Sequence, residues 1–344
     1  MKDLAKMKNI LVIRLSSLGD VVLTTPVFTN LRGAVKTARI FVLTKAQYQD
    51  VFTNNPDVDG VVTLAQGESL WHLAGRLRQG QYDLVIDLHG NLRSHLIGLL
   101  LGVPVIRYHK LSWPRYLLVY FKKRSAALSF GVVERYLNTL KKLRINVTDN
   151  ATRLYLSDGE KLWAEDICRK QNILPQDFVI GINPGAKWQT KKWPFTNWIE
   201  LLKMYKDKRI KILMFGDQKD EEFTDNIMTA VGEYGLPLVD LAGTTSLRQL
   251  MALVQKCHSL ITTDSGTMHI AQALNIPVVV LLGPTVREFG FVRAGAKDRI
   301  LAKELPCRPC SLHGDDHCKR GDQLCLASIE PEEVFQAVKE QLKI

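Results

Sequence analysis

Residues 9–26 read NILVIRLSSLGDVVLTTP, and the order of residue types in them carries the first structural expectation. An apolar, β-branched run ends at Leu15. The chain then leaves through Ser16-Ser17-Leu18-Gly19 and enters a second apolar segment with one carboxylate, Asp20, at its mouth. A continuous apolar run that turns through small polar residues into a helical pattern predicts a buried parallel strand feeding a helix. Asp20 has two readings at this point. It caps the helix, as acids at helix starts commonly do, or it is a reactive group held in a cleft.

The same unit recurs along the first half. Strands are expected at 9–15, 39–44, 60–64, 83–88 and 104–108, with helical patterns near 20–32, 67–79 and 91–101. In the second half, strands are expected at 178–185, 210–216, 238–243, 258–263 and 277–284, with a helix at about 195–206. Strands alternating with helices at this spacing imply βαβ units and parallel sheets. The polar stretch 146–160 separates the two series. The expected architecture is α/β, with Rossmann-like domains at 1–155 and 156–344 facing a central cleft. Open sheets of this kind bind ligands beyond the carboxyl ends of their strands.

A chain of 344 residues exceeds one typical core. Its 46% hydrophobic and 24% charged content is that of a soluble globular protein. The start Met1-Lys2-Asp3-Leu4 shows no signal-peptide pattern, and the longest apolar stretch, 96–106, is too short to span a bilayer. A cytoplasmic location is expected. The net charge of +11 lies entirely in residues 1–150, with 21 Lys/Arg against 10 Asp/Glu. That half is expected to meet something anionic, unless the basicity serves only solubility.

Two motifs in the second half carry chemistry. NPGAKWQTKKWP (183–194) follows a strand, and its lysines suit a phosphate, although a solvated basic loop reads the same way. TTDSGTMHIAQAL (262–274) places Asp264, Ser265 and Gly266 at a helix start, where free amides attract anions, with His269 about one turn in. A structural histidine and a capping Asp are the plainer readings. FGDQKDEE (215–222) ends a strand with acids that can accept ribose hydroxyls.

Together with YDLVIDLHGNLRS (82–94), LAGTTSL (241–247) and ITTDSGTMHIAQALNIPVVVLLGPT (261–285), these segments resemble family 9 glycosyltransferases, the ADP-heptose:lipopolysaccharide heptosyltransferases. The resemblance runs in order over almost the whole chain. It implies a GT-B fold and inverting, metal-independent transfer of heptose from ADP-heptose to the lipopolysaccharide core. It implies donor contacts from Asn183, Gly185, Lys191, Asp220, Asp264, Ser265, Gly266 and His269, with Glu221 and Glu222 leaving the register of Asp220 open. It places Asp20 as catalytic base and Lys191 beside the donor phosphates.

Inverting transfer needs a base for the acceptor hydroxyl and positive groups for the departing diphosphate. Ser17, Gly19, His89, Asn91 and Arg93 are the expected acceptor contacts, with a structural role for His89 standing equally. Residues 106–124 interleave basic residues with Trp113, Tyr116, Tyr120 and Phe121, which suits peripheral docking on the anionic inner face of the inner membrane. A core helix with a solvated face reads the same way. No nucleic acid is needed to explain the charge.

Cys307, Cys310, Cys318 and Cys325 form a C-x2-C-x7-C-x6-C cluster that reads as a structural Zn or Fe site, with His313 and His317 as competing ligands. Reduced thiols or a labile disulfide are the alternative, and catalysis requires no cofactor. Cys168 and Cys257 stand alone and are expected to be buried. Three other functions remain open: the same fold with another nucleotide sugar or a protein acceptor, a non-catalytic nucleotide-sugar binder, and a redox protein built on residues 307–325.

Overall fold

The computed structural model describes residues 4–205, 209–293 and 295–343; the start Met1–Asp3 and the expected helix end at 206 lie outside them. The chain divides into two compact units, Met1–Ser112 with Ser129–Tyr155, and Trp113–Leu128 with Leu156–Ile344.

Unit 1 holds a parallel sheet of β1 (Asn9–Ile13), β2 (Arg39–Lys45), β3 (Gly60–Leu64), β4 (Leu84–Asp87) and β5 (Val105–Arg107), in the order β3-β2-β1-β4-β5. Its helices are α1 (Leu18–Val22), α2 (Thr25–Ala34), α3 (Leu70–Arg78), α4 (Leu92–Leu101) and, later in the chain, α6 (Val132–Lys141). β1 is the central strand because Ile10 through Ile13 are wholly buried, which suits a strand covered on both faces. Thr24-Thr25-Pro26 breaks the expected helix 20–32 into α1 and α2, with Pro26 in the first turn of α2.

Unit 2 holds six parallel strands: β6 (Phe178–Asn183), β7 (Ile210–Met214), β8 (Leu238–Asp240), β9 (Ser259–Thr263), β10 (Val278–Leu281) and β11 (Arg299–Leu301). They lie in the order β11-β10-β9-β6-β7-β8. The three-residue β11 has no apolar run long enough to signal it in sequence. The helices are α5 (Ser112–Phe121), α7 (Asp158–Lys170), α8 (Phe195–Met204), α9 (Glu221–Val231), α10 (Leu247–Val254), α11 (Gly266–Ala273), α12 (Leu324–Ala327) and α13 (Pro331–Leu342). Trp193 and Trp198 meet edge to face at 5.0 Å in the core, and the Trp193 indole donates to the Ile329 carbonyl, fixing α8 beneath α13.

Residues 113–128, which the sequence places in the first half, cluster with unit 2. Two polar anchors, the buried Arg115 and the exposed Lys122, explain this. Arg115 donates to the Phe289 carbonyl and lies over the Phe291 ring. Lys122 donates to the carbonyls of Cys307 and Pro309. Four of the basic residues counted in the first half, Arg115, Lys122, Lys123 and Arg124, therefore belong to unit 2.

In each sheet the strand order reverses once between neighbouring strands, and two loops diverge there. In unit 1 this point lies between β1 and β4, where Ile13 pairs with Asp87. In unit 2 it lies between β6 and β9, where Asn183 pairs with Thr262. Such switch points are where open α/β sheets hold ligands.

Candidate active site

At the unit 1 switch point, Ser17 caps α1 and Asp20 is its third residue. The Asp20 Oδ2 accepts from the Ser17 backbone N–H and hydroxyl, at 3.3 and 3.0 Å, and pairs with the Arg14 guanidinium at 2.8 Å. Its Oδ1 accepts from the Tyr136 hydroxyl at 3.3 Å. Asp20 thus caps the helix and sits in a charged cluster, so the two sequence readings are not exclusive. Arg14 is buried and also donates to the Leu88 carbonyl at 2.7 Å, joining the loops after β1 and β4. Burial opposes the guanidinium charge, but Asp20, Tyr136 and Tyr108 outweigh it and raise its pKa above the ordinary value.

Asp87, wholly buried at the end of β4, builds the second loop. Its Oδ1 accepts from the backbone N–H groups of His89 and Gly90, and its Oδ2 accepts from the Ser94 hydroxyl, each at 2.9 Å. His89 is half-buried, and burial, then Arg14, pull its pKa down to about 4, so the ring is neutral at physiological pH. Its Nδ1 has no hydrogen-bond partner among the described residues. Asn91 caps α4 with its side-chain oxygen, 2.9 Å from the Ser94 N–H, which commits that oxygen to the helix. Arg93 is exposed beside it, while Gly19 is buried.

The unit 2 switch point gathers the second set. Lys191 Nζ lies 2.6 Å from Asp264 Oδ2, with both side chains 11% exposed. The Thr285 hydroxyl donates to the same Asp264 oxygen at 3.2 Å. Burial raises the Asp264 pKa, but Lys191, His269 and Thr285 overcome it and hold the carboxyl below the usual range. Ser265 caps α11, which opens at Gly266, and His269 is buried one turn further on. Asn183 Nδ2 donates to the Gly185 carbonyl and its Oδ1 accepts from the Thr267 hydroxyl, fastening the loop after β6 to α11.

Asp220 is buried beneath this loop, where a Cβ on Gly185 would overlap its carboxyl. Desolvation raises its pKa. Glu221, by contrast, reaches the loop after β8, against Gly243. The structure therefore brings Asn183, Gly185, Lys191, Asp220, Asp264, Ser265, Gly266 and His269 to one sheet edge.

The cysteine segment is tied to the same edge. Thr190 and Asp315 exchange hydrogen bonds, Gln323 donates to the Gln189 and Lys192 carbonyls, and Arg308 donates to the Thr285 carbonyl. It thereby braces the loop that carries Lys191 and the loop after β10, whose Thr285 donates to Asp264. All four of its cysteines are free and border one pocket. Burial pushes the Cys325 thiol up to about 11. Among the described residues, no group of three or more His, Cys, Asp or Glu side chains is set as a metal site. Cys168 and Cys257 are buried.

Arg14, Tyr136, Asp87 and Thr285 escaped the sequence reading. Arg14 alone left a signal, a cation inside an apolar run. Tyr136 lies 116 residues from Asp20, and nothing local couples them.

The chain is similar to known glycosyltransferases. The profile of glycosyltransferase family 9 (heptosyltransferase) matches residues 70–318. Lipopolysaccharide heptosyltransferase 2 of Escherichia coli K12 is 29% identical over 303 residues, covering 82% of this chain and 84% of that protein. Lipooligosaccharide heptosyltransferase 2 of Haemophilus influenzae is 29% identical over 297 residues, covering 82% and 85%. The solved structure of E. coli ADP-heptose lipopolysaccharide heptosyltransferase II superposes with a TM-score of 0.76 at 26% identity, over 97% of this chain and 98% of that one. A family 9 glycosyl transferase from Veillonella parvula gives 0.81 at 24% identity, over 98% and 97%, and supports the fold. The fold is GT-B, and the chain belongs to glycosyltransferase family 9, the heptosyltransferases.

Proposed function

We propose that this protein transfers heptose from ADP-heptose to the inner core of lipopolysaccharide, with inversion and without a catalytic metal. The observation that carries this reading is the largely buried Lys191–Asp264 pair beside the start of α11. The ammonium and the first-turn amides offset charge on a diphosphate leaving group. Asp20 takes the proton of the acceptor hydroxyl as its oxygen bonds to the anomeric carbon and the bond from that carbon to the phosphate oxygen breaks. One displacement inverts the anomeric centre. His89, kept neutral, offers a hydrogen bond to a sugar hydroxyl without placing a second charge beside Arg14.

Turnover measured over a panel of ADP-heptose, ADP-glucose, UDP-sugars and GDP-sugars tests the donor. ADP-heptose is expected to exceed the others by at least about a hundredfold, since unmatched buried polar groups discriminate by that order or more. Comparable rates with a UDP-sugar would remove the ADP-heptose assignment.

The membrane is the proposed setting, at the cytoplasmic face. Among the described residues no helix is long and apolar enough to cross a bilayer. Peripheral contact through α5 is supported by Trp113, Tyr120 and Phe121, each more than half exposed, followed by Lys123 and Arg124.

A structural Zn or Fe held by Cys307, Cys310, Cys318 and Cys325 remains part of the proposal. Its support is the shared pocket and the C-x2-C pair. Metal analysis of protein purified without chelator is expected to give one equivalent, which a Cys307→Ser/Cys310→Ser variant loses. Metal-free protein with freely titrating thiols would remove it.

A further inference from the structure

α4 is built the wrong way round for a helix facing water. Toward the sheet it buries Ser94, Ile97 and Gly98. Outward it shows Leu92 and Leu99, 75% and 76% exposed, and Leu96 at 38%, a stripe with spacing i, i+4, i+7. Gly98 accounts for the close inner approach: a Cβ there would lie 3.1 Å from Val105 and 3.2 Å from Arg107. The neighbouring α3 adds Trp71, 74% exposed, and Arg78 of α3 donates to the Leu100 carbonyl, locking the two helices side by side. An exposed apolar stripe of this kind is normally covered by a partner.

The charge around it narrows the partner. Neither helix carries an Asp or Glu; Arg76 of α3 is paired with Glu68 just before that helix, while the exposed Arg78 of α3 and Arg93 of α4 supply the positive charge. Leucines with an exposed tryptophan and a basic margin suit the headgroup boundary of an anionic bilayer. The face is also continuous with the site, because α4 starts at Asn91, in the loop that Asp87 and Arg14 hold at the switch point.

We propose that the α3–α4 face of unit 1 rests on the anionic lipid surface that carries the acceptor. This rests on the acceptor being lipid-borne, as in the function proposed above. It adds a second docking surface, on the unit that carries Asp20.

Sedimentation with vesicles of phosphatidylglycerol and phosphatidylethanolamine, beside pure phosphatidylcholine vesicles, tests it on the full chain. The wild type is expected to bind the anionic vesicles and to be released by salt. Trp71→Ser/Leu96→Ser/Leu99→Ser is expected to bind at least about tenfold more weakly, from the apolar area it removes. Its melting temperature and its ADP release with a soluble, deacylated acceptor should stay unchanged. Leu99→Ser alone, at the most exposed position, is the second variant should the triple one misfold. Unaltered vesicle binding by the variants overturns the proposal. So does a wild-type dimer that the variants split while vesicle binding persists, since the occupant is then a second copy. Absence of turnover with ADP-heptose in the wild type overturns the function instead, and is read separately.

Discussion

Asp20→Asn should lower kcat by about 10²- to 10⁴-fold, the range that a positioned general base supplies, while leaving the KM for donor near the wild-type value. The amide retains the shape of the carboxylate: its one oxygen can still accept from Ser17, and its NH2 group can donate to the Tyr136 hydroxyl oxygen, so the loop keeps its hydrogen bonds. It cannot take the hydroxyl proton. It also leaves the buried Arg14 guanidinium without its counter-charge, at a cost of roughly 3–5 kcal/mol if none of it is relieved by water. Stopped-time assays of ADP release, with a thermal melt beside them, separate the two effects. A variant that melts lower yet turns over at the wild-type rate would remove Asp20 as base and leave it a cap.

Lys191→Met should cost both donor binding and rate. The ammonium is the charge nearest Asp264, and electrostatic stabilisation of a leaving group by one such contact is worth about 10²- to 10³-fold in kcat. The pH dependence of stability provides a second readout. In the wild type the Asp264 pKa is depressed, so its contribution to stability is present above the ordinary carboxylate value and is lost as pH falls through the depressed one. Without Lys191, burial dominates and the pKa rises. The difference in melting temperature between wild type and variant is therefore expected to be widest near neutrality, and to narrow as pH falls through the variant's raised pKa and then the wild type's depressed one. Equal melting curves at pH 7 would show that the pair does not contribute to the fold.

Much of the fold was legible because parallel strands buried on both faces must be written as unbroken apolar runs. Ile10–Ile13, Val278–Leu281 and their counterparts were visible for that reason. β11 was not, because three half-buried residues at a sheet edge leave no such run. The helix at α5 was visible, but its unit was not. Its membership depends on Arg115 and Lys122 reaching carbonyls more than 170 residues away.

The chemical groups were legible where they are local. Asp20 at a helix mouth, Asp264-Ser265-Gly266 at another, and Lys191 in a strand-end loop follow from residue order, since a βα turn exposes whatever polar groups it contains. How those groups are partnered was not legible. The pairing of Lys191 with Asp264 depends on strand order, which brings β6 beside β9, and the contact of Asp20 with Tyr136 depends on the packing of α6, 116 positions away. Local periodicity specifies which segments become strands, but the order in which they pair is set by long-range packing of their faces. Charge state follows from that packing too: His89 is neutral through burial and the nearby Arg14, and Asp264 is held ionised chiefly by Lys191, 73 positions away.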